Sequence, residues 1–354
     1  MITVEHLSNR GRPPSYGTSR AAITVMLLVM AAVGSSVGAT RADPGAAVCS
    51  PMMVAVTGGH VSATLCAPTA PTDTVVLLQP GASGSQWYWN ATGPDVAEYY
   101  SFTRAMNAAG FATMVIDRLG TGNSTRPPSW TLTASTAAQN ILEVADDLRQ
   151  GHLGASPYRK VVVGGVSLSA GTALMAAATD TAKRIDGLLL TGFSHSPSYP
   201  DAIAIAADSF RPAALVDSAR FAGYDLGYLT TTPGSRAKAF FAADTDPAVL
   251  AGDEENKDVF SPTEFVTAMT STVLPMAERV HVPVLVANGA QDRLCAAVCA
   301  SSDILHAAEA PWYQPESQLQ TFVLPDSGHA INLARTTAAY QAAVRDWITS
   351  VVRS

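Results

Sequence analysis

A serine at the tip of a small-residue turn is a candidate nucleophile, and one stands in Lys160-Val161-Val162-Val163-Gly164-Gly165-Val166-Ser167-Leu168-Ser169-Ala170-Gly171. The β-branched run before Ser167 suits a strand, and the Ala/Leu/Met segment after it suits a helix. A serine on so sharp a strand-to-helix turn needs small residues two positions to either side, here Gly165 and Ser169. The motif therefore reads G-x-S-x-S. Ser169 lies in an overlapping frame of its own, but Ser167 follows the strand more closely, as a nucleophile on this turn should. Serine at its ordinary pKa attacks carbonyls poorly. It needs a base within reach, an acid to orient that base, and donors for the oxyanion.

The candidate base is His329, in Leu324-Pro325-Asp326-Ser327-Gly328-His329-Ala330, on a glycine-containing loop after an apolar run. The candidate acid is Asp292, in Val286-Ala287-Asn288-Gly289-Ala290-Gln291-Asp292-Arg293, also after an apolar run. Asp326 is a rival acid, three residues before His329, whose position suits loop shaping. The chain order is Ser, Asp, His, which differs from the orders of chymotrypsin-like and subtilisin-like proteases. His195 follows another apolar run and is a candidate cleft residue, as are Trp87 and Tyr88 of Trp87-Tyr88-Trp89. Phe240, Phe241 and Phe260 are open to either a pocket role or a packing role. The acidic stretch Asp244–Asp258, which includes Asp253-Glu254-Glu255, suits the solvated face of a helix, and it lacks the pattern of a calcium loop.

These residues need strands and helices to bring them together. Met52–Val56 and His60–Leu65 read as a hairpin around Thr57-Gly58-Gly59, with Cys49 and Cys66 at its open ends. Thr74–Leu78, Phe111–Ile116, Val161–Val163, Ile185–Leu190, Val284–Ala287 and Gln320–Leu324 read as further strands. Helical spacing runs through Asp95–Ala109, Ser135–Gln150, Thr172–Ala178 and Thr336–Val352. Alternating buried strands and amphipathic helices imply an α/β fold, a mostly parallel sheet covered by helices on both faces. Between residues 195 and 280 the spacing is helical and no strand stands out, so an inserted helical cap is expected there. It divides the core into residues 43–194 and 281–354, and it belongs over the carboxyl ends of the strands.

At this point the chain resembles the α/β-hydrolase superfamily. Ser167 with its turn, Asp292 and His329 match that family's motif positions, and Asp117-Arg118-Leu119-Gly120-Thr121-Gly122-Asn123-Ser124 resembles its D-x-x-G-x-G-x-S loop. The resemblance covers residues 74–192 and 280–352 and leaves the cap unmatched. It implies an oxyanion hole made by the backbone N–H of Leu168 and one from the loop after Thr74–Leu78. That loop reads Gln79-Pro80-Gly81-Ala82-Ser83-Gly84, where many members carry His-Gly, which points to Ala82 as the second donor. Ser83 or Ser85 could add a hydroxyl. The resemblance implies no metal or organic cofactor.

The first 42 residues fall outside this organisation. Arg10, Arg12 and Arg20 precede the apolar run Ala21–Val33, and small residues follow, which is the order of a secretory signal. Cleavage is expected after Ala39 or Ala42; an uncleaved anchor is the alternative. Residues 1–42 hold four Arg and one Glu, so the remainder carries 18 basic and 28 acidic side chains, a net charge of −10. That balance argues against nucleic acid or an anionic membrane as partner. In an exported protein Cys49 with Cys66 and Cys295 with Cys299 are expected as disulfides; the second would pin the loop that carries Asp292. The expected activity is hydrolysis of a small-molecule carboxylic ester through an acyl-enzyme. Aminopeptidase, amidase or acyltransferase chemistry and a catalytically silent binding protein are the alternatives. Oligomeric state is not legible.

Overall fold

A computed structural model describes residues 47–352 except Ala155. The expected leader, residues 1–42, lies outside the described residues. β1 (Ala47–Val56) and β2 (Gly59–Pro68) form the hairpin. Its tight turn needs Gly58, whose φ is +93°, a region open to glycine at no steric cost. The register sets Cys49 directly opposite Cys66, and the two are bonded. β3 (Thr74–Gln79), α1 (Phe102–Ala108), β4 (Ala112–Ile116), α2 (Ala134–Gln150), β5 (Lys160–Val166), α3 (Leu168–Thr179) and β6 (Gly187–Thr191) follow. The segment to residue 280 holds α4 (Tyr199–Ser209), β7 (Phe210–Pro212), α5 (Ala213–Val216), β8 (Leu229–Thr231), α6 (Ser235–Phe240), α7 (Pro247–Glu255) and α8 (Pro262–Met269). The core resumes with β9 (Val284–Gly289), α9 (Ser302–Glu309), β10 (Gln320–Leu324) and α10 (Thr337–Trp347).

Eight strands make one sheet in the order β1-β2-β4-β3-β5-β6-β9-β10. β2 runs antiparallel to β1 and β4, and the remaining pairings are parallel. The strands alternate between two buried faces. Val75, Leu77, Val161, Val163, Leu188 and Leu190 pack toward α2 and α3, whereas Val76, Leu78, Val162 and Leu189 join a cluster containing Phe102, Met106, Tyr340 and Trp347. Burial on both faces is why these strands read as unbroken apolar runs. The chain leaves β3 for β4 on one side and then returns to β5 on the other. The carboxyl ends of β3 and β5 therefore open a crevice at the point where strand order reverses, the usual ligand position in such sheets.

Two expectations need correction. The helix expected over Asp95–Ala109 begins only at Phe102, where Ser101 accepts a hydrogen bond from the Arg104 N–H at 3.1 Å. Asp95 has φ +63°, which a right-handed helix cannot contain. The cap segment, expected without strands, contains the antiparallel ribbon β7–β8, extended by a bridge from Leu229 to Phe260. Three-residue strands such as Phe210-Arg211-Pro212 are too short to display a period of two.

The β5–α3 turn is packed backbone against backbone. A Cβ on Gly165 would stand 2.2 Å from the Ser169 carbonyl oxygen, and no side-chain motion can relieve that clash. Gly165→Ala should destabilise the protein by about 3 kcal/mol, the upper part of the overpacking range. Gly110→Ala, where φ is +87° but nothing lies within 4 Å, should cost only about 1 kcal/mol, that of a left-handed residue. Urea denaturation midpoints of the two variants check the ranking.

Candidate active site

Ser167 has φ +58° and ψ −122°, a conformation that costs a non-glycine residue energy and is kept only where the surroundings impose it. β5 and β6 impose it here: the Ser167 N–H donates to the Thr191 carbonyl at 2.8 Å, the last rung before α3 begins. Helical geometry leaves the Leu168 N–H without an acceptor inside α3, and the Ser167 side chain does not cap it. Ser167 lines a cleft with two arms, of about 650 and 600 Å³, and borders both.

Asp292 lies on the turn after β9, and its N–H donates to the Gly289 carbonyl at 3.1 Å. One carboxylate oxygen accepts from the Leu294 N–H at 2.8 Å; the other lies 2.7 Å from His329 Nδ1. A carboxylate only accepts, so Nδ1 carries the hydrogen and Nε2 is left as the basic nitrogen. Both side chains are buried, and His329 Nε2 has no hydrogen-bond partner among the described residues. Gly192 makes room for the ring, since a Cβ there would stand 2.9 Å from His329 Cε1. The loop is tied to α6 by the Ala330 N–H, which donates to the Phe240 carbonyl at 2.9 Å. Asp326 is exposed, so the acid that meets the imidazole is Asp292. Cys295 and Cys299 are bonded just beyond, and Cys295 lines the cleft.

Ala82 also lines the cleft, on the loop after β3. Gly81 lets that loop approach Ser167: a Cβ there would stand 3.0 Å from the Val166 carbonyl and 3.2 Å from Ser167 Cβ. Ser169 is fully buried, and its hydroxyl donates to the Pro80 carbonyl at 2.6 Å. It is therefore engaged in holding that loop, which separates it from Ser167. Ser85 caps the turn over Gln86–Tyr88. Arg118 and Arg236, which sequence reading passes over, are buried and hydrogen-bond to the same loop. The D-x-x-G-x-G-x-S stretch hints at the first; nothing local marks the second. Asp253, expected on a solvated face, is buried in an ion pair with Arg236.

The expected cleft residues divide. Tyr88, Phe240 and Phe241 line it, together with Ile205, Phe210 and Phe265 from the cap segment. Trp87 does not: its Nε1 donates to the Thr92 carbonyl at 2.8 Å, and its ring covers Gly252 of α7. Phe260 packs into a small cluster with Phe210 and Phe265. His195 is drawn away from the cleft because a buried carboxylate captures it. Glu309 lies 2.6 Å from its Nδ1 and accepts from its backbone N–H at 2.8 Å, while Trp312 stacks on the ring at 4.4 Å. Among the described residues no group of three or more His, Cys, Asp or Glu could hold a metal ion, and no helix is long and apolar enough to cross a membrane.

Asp117 is buried, with one oxygen accepting from Gln86 Nε2 at 2.8 Å and the other without a hydrogen-bond partner among the described residues. Burial raises its pKa from 3.8 to about 6; the Gln86 hydrogen bond opposes the rise, and nearby Asp258 adds to it. The folded state thus holds this proton more tightly than the unfolded chain. Its contribution to stability is greatest below pH 4 and is lost as pH rises through 6. At one pKa unit per 1.36 kcal/mol this is worth about 3 kcal/mol. In Asp117→Asn, stability at pH 7 relative to pH 4 should rise by about 2 kcal/mol against the parent chain, since part of the contribution is already lost at pH 4. Chemical denaturation at both pH values measures it; parallel pH profiles would contradict the assignment.

The model of the alpha/beta hydrolase family matches residues 75–342, well over half of the chain. No curated protein matches the chain. Solved structures match across nearly their whole length. A thermophilic esterase from Thermogutta terrifontis is 20% identical over 86% of this chain and 99% of its own, with a TM-score of 0.57. An enol-lactonase from Burkholderia xenovorans LB400 is 19% identical over 84% and 100%, with a TM-score of 0.55. An esterase from Exiguobacterium antarcticum is 16% identical over 85% and 100%, with a TM-score of 0.59. At these identities the likeness is one of fold.

Proposed function

Given that the chain belongs to the alpha/beta hydrolase family, we propose that it is a serine hydrolase that cleaves carboxylic esters of small apolar substrates. The observation that carries this reading is the 2.7 Å pairing of His329 Nδ1 with buried Asp292, which leaves Nε2 as the base in the cleft lined by Ser167. Ser167 Oγ attacks the carbonyl carbon while His329 Nε2 takes its proton, and the carbonyl oxygen becomes an oxyanion held by the Leu168 and Ala82 N–H groups. Asp292 keeps the ring oriented and stabilises its charged form. His329 then gives the proton to the leaving alkoxide, which departs as the alcohol. Water attacks the acyl-enzyme, again through His329, releasing the acid and restoring the serine. The scheme requires no cofactor.

The cleft favours esters over peptides with a free amino terminus. Recognition of an ammonium group calls for an unpaired carboxylate. Among the described residues the acids lining the cleft are Asp292, committed to His329, and Asp253, committed to Arg236. The remaining walls are largely apolar and aromatic. Esterases and an enol-lactonase among the similar folds are in keeping with carbonyl–oxygen cleavage. The two disulfides and the leader-like first 42 residues support export to an oxidising compartment.

A fluorophosphonate probe should label Ser167, and Ser167→Ala should abolish labelling. On a panel of p-nitrophenyl esters of increasing acyl length, Asp292→Asn should lower kcat about 10⁴-fold, while Asp326→Asn leaves it unchanged. Folded protein that neither labels nor turns over any ester would favour a silent binding protein instead.

A further inference from the structure

The loop Gln79–Gly84 must aim the Ala82 N–H, yet it is short and irregular, so its rigidity has to come from its surroundings. Its carbonyls are where it is gripped. Arg118, just past β4, donates Nη1 to the Pro80 and Gly81 carbonyls, the latter at 2.9 Å, and the same nitrogen lies 3.3 Å from Ser169 Oγ. Ser169 Oγ adds its own bond to the Pro80 carbonyl. On the other side of Ala82, Arg236 of α6 donates Nη1 to the Ser83 carbonyl at 3.1 Å and to Ser83 Oγ at 2.8 Å. The Asp258 N–H gives the Ser83 carbonyl a second donor at 2.9 Å. Ser83 itself is buried at φ +54°, a strained conformation held from outside. Carbonyls on both sides of Ala82 are thus fixed by a buried guanidinium.

Each arginine is neutralised by an acid from the cap segment. Glu264 of α8 stands 3.2 Å from Arg118 Nε, and Asp253 of α7 takes Arg236 in a two-point pairing, with Nη2 at 3.0 Å. A guanidinium this deeply buried keeps its place only while its counter-ion is present. We propose that Arg118 and Arg236 are positioning residues that fix the Ala82 N–H as an oxyanion donor, and that Asp253 and Glu264 make this donor conditional on the seated cap. The proposal rests on the Ser167 reading above and adds to it a device for transition-state binding.

A role confined to packing would lower stability and leave the ratio of transition-state to ground-state binding alone. A positioning role lowers kcat with little change in KM, because the oxyanion exists only after attack. The test uses the full chain with Arg236→Lys, Ser83→Ala, Asp253→Asn and Arg118→Lys, chosen so that at least one stays folded by circular dichroism. Each is assayed on one p-nitrophenyl ester and with an alkyl trifluoromethyl ketone. That ketone accepts Ser167 Oγ at its carbonyl carbon; the hydroxyl proton passes to His329, and the former carbonyl oxygen becomes an oxyanion. Expected is a loss of about 10- to 100-fold in kcat, KM within about threefold, and an inhibition constant that weakens in proportion to the fall in kcat/KM. Folded variants with lowered melting temperature but unchanged kcat and unchanged ketone affinity would overturn the clamp while leaving the serine mechanism standing. A parent chain that neither hydrolyses the ester nor binds the ketone would overturn both.

Discussion

The backbone at Ser167 is held where a serine does not rest by choice, and much of the structure around it can be read as what holds it there. A positive φ is sustained by the hydrogen bond from Ser167 to Thr191 on the neighbouring strand and by the crossing of β5 and α3 at Gly165. That crossing forbids a side chain at Gly165. The same closeness brings the loop after β3 against the turn, with Gly81 admitted beside Val166 and Ser167 because it lacks a Cβ. The parallel order of β3, β5, β6, β9 and β10 then delivers the remaining loops to the same edge of the sheet.

Electrostatics in this region are almost entirely internal. Arg118 with Glu264, Arg236 with Asp253, and His195 with Glu309 are buried pairs; the first and third join segments more than 100 positions apart, and the second joins the consecutive helices α6 and α7. Buried pairs of this kind add little net stability, since desolvation offsets their attraction, but breaking one is costly. Their consequence is specificity of arrangement: α7 and α8 can seat in one place, where their acids meet the arginines. The cleft they help to line presents largely apolar walls, its charges being already matched.

Much of the fold was legible because burial on both faces leaves a direct trace in the sequence. Val75–Leu78, Val161–Val163 and Leu188–Leu190 are apolar throughout, as strands covered on both faces are. Elements whose form depends on neighbours left no such trace. The irregular stretch before α1 turns on the backbone of Asp95, and the β7–β8 ribbon is too short for a period to emerge. In the site, Ser167, Asp292 and His329 were visible as residues in order after strands. Arg236 was not, and Arg118 stood out only as part of a motif, because a buried arginine is distinguishable from a solvated one only by its partners.

The sequence by itself determined the order of strands and helices, the turn that carries Ser167, and which acid and which histidine follow which strand. These are local properties, set by apolar periodicity and by small residues where backbone must turn sharply. Only the tertiary structure decided that Asp292 rather than Asp326 meets His329, that His195 is held by Glu309 instead of facing the cleft, and that the Ser169 hydroxyl is bonded to the loop after β3. Those outcomes depend on distances between residues separated by 37, 114 and 89 positions in the chain. Such distances are set by how helices pack on the sheet and by which buried charges find a partner. No spacing along the chain encodes them.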